Sequence, residues 1–185
     1  MSAITTPEWL VIDGVSPNQE VLHFLAKKVQ NAYIAHNPLW ELSNSRLHEV
    51  MEYVVKNGHY GIAAPQVGVS KSWFYLNEEK FELSDKTHKG VFINPSFRGI
   101  GPARWKRESC LSVPNESHRV RRHDIIIAQW QSMTRMPVVI GETTCADHIN
   151  PPGYYQCRMI GKLAQAFQHE CDHLNGRLIN QKKRR

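Results

Sequence analysis

The segment His169-Glu170-Cys171-Asp172-His173 sets two imidazoles four residues apart with a carboxylate between them. On a helix that spacing aims both rings the same way, so they can bind one metal ion with Glu170 beside it as proton acceptor. At about 100° per residue, Leu163, Ala166, Phe167, Cys171 and Leu174 fall on one arc, with Gln165, Gln168, Asp172 and Asn175 opposite. Glu170 lands among the apolar residues, and His169 and His173 occupy the adjoining edge. A carboxylate directed into a core is costly unless it is paired or put to use. The plain alternative is a satisfied His–Glu pair beneath the surface. Two histidines do not complete a metal site, and no His, Cys, Asp or Glu follows His173. A third ligand must therefore come from upstream. Cys110 stands out among the candidates because it lies in Glu108-Ser109-Cys110-Leu111-Ser112-Val113-Pro114, between predicted strands. One thiolate and two imidazoles leave a fourth position open, which is the catalytic arrangement. Cys145, His148 and Cys157 match no standard zinc spacing.

These residues need elements to position them. Ser16-Pro17-Asn18-Gln19 reads as a helix start, and apolar residues recur at helical spacing from Val21 to Tyr33 before Asn37-Pro38. A second helix is predicted over 46–56, closed by Asn57-Gly58. Short strands are predicted at 72–76, 91–94, 125–130 and 138–140. Residues 143–158 read as an inserted surface loop, rich in Thr, Asn and Pro near its start. A last helix is predicted over 162–174, ended by Asn175-Gly176. No repeat or linker is visible, so residues 1–185 read as a single domain of α+β class.

Composition narrows the class further. The 185 residues carry 23 Lys plus Arg against 17 Asp plus Glu, a net charge of +6. Part of that excess sits in the tail 181–185, which reads as a solvated end; the sequence elsewhere shows no basic helix or aromatic-interleaved basic stripe, which argues against specific DNA binding. No apolar run is long enough to cross a membrane as a helix. Four scattered cysteines do not make a secreted disulfide framework, and residues 1–14 resemble neither a signal nor a transit peptide. A reducing cytoplasm is the expected compartment, an organelle with a trimmed transit peptide the alternative.

Three segments, Gly61-Ile62-Ala63-Ala64-Pro65-Gln66-Val67-Gly68, then Glu108 to Ser112, then Gln168 to His173, resemble the three motifs of the peptide deformylase family, in the family's order. The resemblance implies small antiparallel β-sheets around a central C-terminal helix that carries the His-Glu-x-x-His motif, with N-terminal helices beside them. It implies a metal-dependent hydrolase that removes the formyl group from the N-terminal formyl-methionine of nascent chains. Carried over, Cys110, His169 and His173 hold one divalent ion, Fe²⁺ in the cell, with Zn²⁺, Ni²⁺ or Co²⁺ able to take its place. Glu170 becomes the base, and the Gln66 amide and the Leu111 backbone N–H become donors to the developing oxyanion. Gly61, Ile62, Glu108, Phe167 and Arg122 become substrate-side residues. Formyl-methionyl peptides are the implied partners, and the ribosome near its exit tunnel comes into view. Two departures, His59 and Ser109 where the family usually has Gly, are expected to crowd the substrate groove or alter the loop carrying Cys110. A zinc endopeptidase built on the same helix, or a homologue without catalysis, are the competing readings.

Overall fold

Four consecutive bulky residues, Trp73-Phe74-Tyr75-Leu76, are all buried, which an isolated two-faced strand does not require. Both faces of that strand are covered: Phe74 and Leu76 join one apolar cluster, Trp73 and Tyr75 another. Alternation along the strand thus feeds two cores from one run of residues. The computed structural model describes residues 44–69, 71–81, 90–131, 138–140, 143–149 and 154–181, and the helix expected from Ser16 to Asn37 lies outside them.

Within that range the chain runs α1 (Asn44–Lys56), β1 (Gly61–Ala63), a 3-10 turn (Ala64–Val67), β2 (Trp73–Leu76) and the short α2 (Glu78–Phe81). It continues through β3 (Val91–Cys110), β4 (Val113–Gln131), β5 (Val138–Ile140), β6 (Thr143–Ile149), β7 (Tyr154–Ile160) and α3 (Gly161–Leu174). The strands follow the order β1-β2-β3-β4-β7-β6-β5, every neighbouring pair antiparallel. On one side α3 presents Ala164, Phe167, Cys171 and Leu174 to Phe74, Phe92, Ile126, Trp130 and Met159. On the other, α1 presents Leu47, Val50 and Val54 to Ile62, Trp73, Tyr75 and Ile93. Aromatic edges lock the first cluster, with the Phe74 and Phe167 rings 5.0 Å apart at 86°.

Residues 143–158 are not a surface loop: 143–149 and 154–160 are strands, and β7 pairs with β4 from Tyr154 to Ile160. Tyr155, Cys157 and Met159 alternate into the core, a period-2 pattern that short, mixed composition conceals in the sequence. The strands expected at 91–94 and 125–130 are the proximal ends of a far longer hairpin. Pro95, Gly101 and Pro102 look like strand breakers, yet the register shifts at Ile93/Ser96 and Ile100/Ala103 absorb them as bulges.

The end of α3 follows its expected signal. The Arg177 N–H donates to the Asp172 carbonyl at 2.8 Å and the Gly176 N–H to the His173 carbonyl at 3.0 Å. Gly176 takes φ 67, the left-handed value this closure needs. The last turn, which carries His173, is thereby fixed.

Candidate active site

Three elements converge on one point. The β3–β4 hairpin turns through Leu111-Ser112 and delivers Cys110 at the end of β3. Helix α3 delivers His169, Glu170 and His173, and the 3-10 turn after β1 delivers Gln66. Cys110 Sγ lies 3.2 Å from His173 Nε2, which lies 3.3 Å from His169 Nε2. All three donor atoms fall within 4.8 Å of one another. Bonds of about 2.0 to 2.3 Å to a tetrahedral ion set donors roughly 3.3 to 3.6 Å apart, so the cluster has the dimensions of a metal site.

Its electrostatics fit the same occupant. Burial alone would raise the Cys110 pKa, yet the charges and hydrogen bonds of His173 and His169 hold it well below the ordinary thiol value. The thiolate is the form that binds metal. Burial works against charge on His169, but Cys110 and Glu108 raise its pKa well above the usual imidazole value. A pocket that favours positive charge at that point suits a cation.

Glu108 orients the first histidine. Its Oε2 sits 3.0 Å from His169 Nδ1, leaving Nε2 to face Cys110 and His173. Arg122 grips Glu108 through two bonds of 2.9 Å and reaches Asp172 Oδ2 at 2.6 Å, while Gln165 Nε2 donates to Glu108 Oε1 at 3.0 Å. Burial would raise the Glu108 pKa, but the His169 and Arg122 contacts lower it to about 2. Sequence reasoning put Glu108 and Arg122 on the substrate side. Arg122 is buried and lies outside the cleft lining, so its contact is with the ligand's support; Glu108 does both, lining the cleft and bracing His169.

Glu170 is buried, and its Oε2 has no hydrogen-bond partner among the described residues. Desolvation raises its pKa to about 7 against the pull of His169 and His173. That value suits a group that accepts and returns a proton near neutrality. Gly61 makes the room: a Cβ there would fall 2.9 Å from Glu170 Oε1 and 2.7 Å from the Tyr75 carbonyl oxygen. Gln66 is buried as well. Its Oε1 accepts from the Ala63 N–H at 2.8 Å, which turns Nε2 towards Ser112 Oγ at 3.1 Å and Cys110 Sγ at 3.9 Å.

A cleft of about 670 Å³ opens over these groups. Gly61, Gln66, Glu108, Cys110, Leu111, His169 and Glu170 line it, as do His59 and Ser109, the two side chains expected to crowd the groove. Ile62 and Phe167, expected as the apolar pocket, are instead wholly buried in the two cores. Each points into a core because its neighbours in sequence face the site. The apolar lining comes from Tyr53, Tyr60, Leu111, Pro114 and Ala166.

A mixed α+β frame with a buried Cys-His-His cluster, an adjacent unpartnered carboxylate and an open cleft defines a metal-dependent hydrolase. The comparisons narrow the class. The family model for polypeptide deformylase matches residues 15–151, a span that takes in Gln66 and Cys110 and stops before His169. A peptide deformylase of Zymomonas mobilis is 32% identical over 136 residues, covering 72% of this chain and 67% of its own. Peptide deformylase 1 of Bacillus anthracis is 36% identical over 141 residues, covering 74% and 71%. The crystal structure of the Thermotoga maritima peptide deformylase shares the fold with a TM-score of 0.63 at 24% identity, covering 92% of each chain. That of a Synechococcus elongatus peptide deformylase in complex with actinonin gives 0.66 at 21%, covering 97% of this chain and 80% of that one. The chain belongs to the polypeptide deformylase family, metal-dependent hydrolases that remove the N-formyl group from nascent peptides.

Proposed function

We propose that this chain removes the formyl group from formyl-methionyl peptides through Cys110, His169, His173, Glu170, Gln66 and Leu111. The convergence of Cys110 Sγ with both imidazoles, beside the unpartnered oxygen of Glu170, carries the reading. Cys110, His169 and His173 hold one divalent ion, Fe²⁺ in the cell and Zn²⁺, Ni²⁺ or Co²⁺ in protein loaded with them. When bound, such an ion acidifies water and polarises a carbonyl oxygen.

The chain's own groups do the rest. Glu170 takes a proton from the attacking water as the new C–O bond forms at the formyl carbon. It returns that proton to the amine nitrogen as the C–N bond breaks, so formate and a free N-terminus leave. The Gln66 Nε2–H, turned by the Ala63 hydrogen bond, and the Leu111 N–H donate to the oxygen on which charge builds. Tyr60, Leu111 and Ala166 offer the methionine side chain an apolar surface in the cleft. Substrates of this kind emerge from the ribosome near its exit tunnel, so the reading assigns the protein to the translating compartment, the cytoplasm. No described helix is long and apolar enough to cross a membrane.

Protein prepared without oxygen and loaded with Fe²⁺ is expected to release free amine from formyl-Met-Ala-Ser and to leave casein intact. Internal cleavage of casein, or no amine from the peptide at full metal content, would overturn the reading.

A further inference from the structure

The cleft carries charge that deformylation does not use. Along α3, Lys162, Gln165, Ala166 and His169 follow at helical spacing on one wall. Lys162 therefore stands roughly 10 Å along the helix axis from His169. Arg107 lines the same cleft from β3. Both cations are exposed, and among the described residues neither forms an ion pair. The carboxylates of the cleft are committed elsewhere. Glu108 serves Arg122, His169 and Gln165, and Glu170 lies buried between the two histidine ligands.

Beyond the residues that line the cleft, the hairpin carries further positive charge beside Arg107. Register sets Arg107 opposite Arg119 and Trp105 opposite Arg121. That face of the hairpin holds no acidic residue at positions 103, 105, 107, 119, 121 or 123. The Arg119 guanidinium lies over the Trp105 ring, 5.6 Å from its centroid, so it adds positive potential near Arg107 with no acid on that face to offset it. A third cation, Lys80, sits 4.7 Å above the ring of Tyr60 at the cleft edge.

We infer that Arg107 and Lys162 select formylated peptides bearing a carboxylate side chain on the second or third residue, an inference that rests on the deformylation reading above. An extended peptide advances about 3.3 Å per residue. With the formyl carbon at the ligand cluster, the second and third residues come level with Lys162 and Arg107. An acidic side chain there pairs with both cations and is drawn in by the field of Arg119 and Arg121, whereas a basic one is repelled.

The test compares formyl-Met-Glu-Glu-amide, formyl-Met-Gln-Gln-amide and formyl-Met-Lys-Lys-amide on the metal-loaded enzyme at low ionic strength. Turnover (kcat/KM) and the Kd of each peptide for the Glu170→Ala protein are measured. The Glu-Glu peptide is expected to show a kcat/KM about tenfold higher and a Kd about tenfold lower than the Gln-Gln peptide, the ratio two exposed ion pairs together supply, with the Lys-Lys peptide lowest in kcat/KM and highest in Kd. The double variant R107E/K162E is expected to invert the order. Turnover of all three peptides within twofold of each other, or an order unchanged in the double variant, overturns the selection while leaving deformylation standing. Charge-ordered binding with no amine released overturns deformylation and upholds the selection. Absence of both overturns both.

Discussion

Arg121 and Arg122 are consecutive residues of β4, and alternation sends them to opposite environments. Arg122 is buried between Glu108 and Asp172, each of its contacts 2.9 Å or shorter, and burial notwithstanding, the Glu108 and Asp172 contacts raise its pKa. Arg121 is exposed, donates among the described residues only to the Ala103 carbonyl at 3.2 Å, and faces Trp105 across the ladder with Arg119 beside it. The difference teaches where this fold spends its electrostatics. On the inner face Arg122, Glu108 and Asp172 match one another's charges, because an unmatched one would cost several kcal/mol in a buried setting. The matching fixes the His169 imidazole through Glu108. On the outer face water screens the charges, and among the described residues no acid pairs with Arg107, Arg119 or Arg121, so they remain available to something that arrives from solution.

The inner face is broken most severely at its centre. Glu170→Ala is expected to retain metal and to lower kcat by about 10⁴-fold, the upper range for a general base. Metal analysis alongside turnover separates this from a folding defect; unchanged turnover would remove Glu170 from the chemistry. Gln66→Leu keeps the buried volume while removing the donor that the Ala63 N–H orients. A fall in kcat of about 10²-fold with KM nearly unchanged is expected, and a loss confined to KM would assign Gln66 to ground-state binding instead.

Arg122→Leu tests the support of the ligand rather than the ligand. It strands Glu108 and frees Asp172, so a destabilisation of about 3 kcal/mol in urea unfolding is expected, with metal affinity down about 10- to 100-fold. A protein less stable but with affinity intact would mean that Glu108 orients His169 without help. E108Q/R122L, which removes both charges together, is then expected to recover part of the stability and none of the affinity.

The two faces were not equally legible in the sequence. His169-Glu170-x-x-His173 declares itself because a helix repeats every 3.6 residues and its ligands lie within one turn. Cys110, on a hairpin tip 59 positions away from His169 in the chain, stood out only by its setting between predicted strands and by the resemblance of Glu108 to Ser112 to a family motif, since no periodicity links it to the helix. Ile62 and Phe167 were misassigned because apolar character alone does not say whether a residue faces a core or a cleft. Their immediate neighbours Gly61 and Ala166 line the cleft, and a shift of one or two positions changes the face. The bracing role of Glu108 and Arg122 was hidden for a related reason: a buried ion pair joins residues on two strands whose register the sequence does not print. A signal was present, an acid two residues before the thiol and an arginine twelve residues after it, but only the hairpin turn at Leu111-Ser112 brings them face to face. The basic outer face was missed outright. Trp105, Arg107, Arg119 and Arg121 look scattered along the chain, and the ladder gathers them into the aromatic-interleaved stripe that the sequence did not display.

The smallest effect is expected on that outer face, and it is the sharpest check on the contrast. Arg121→Ala removes a full positive charge one residue from Arg122, yet it takes away only a solvent-exposed bond to Ala103 and relieves repulsion from Arg119 and Arg107. Those two consequences oppose each other, so the change in unfolding free energy is expected to stay within about 0.5 kcal/mol, with metal content and turnover of a neutral formyl peptide unaltered. Raising the salt concentration should shrink even that difference, because exposed charges more than about 10 Å apart are screened at 0.1 M salt. A loss comparable to that of Arg122→Leu would mean that Arg121 braces the hairpin from outside. The distinction between a matched inner face and an available outer one would then have to be drawn elsewhere than between neighbouring residues of one strand.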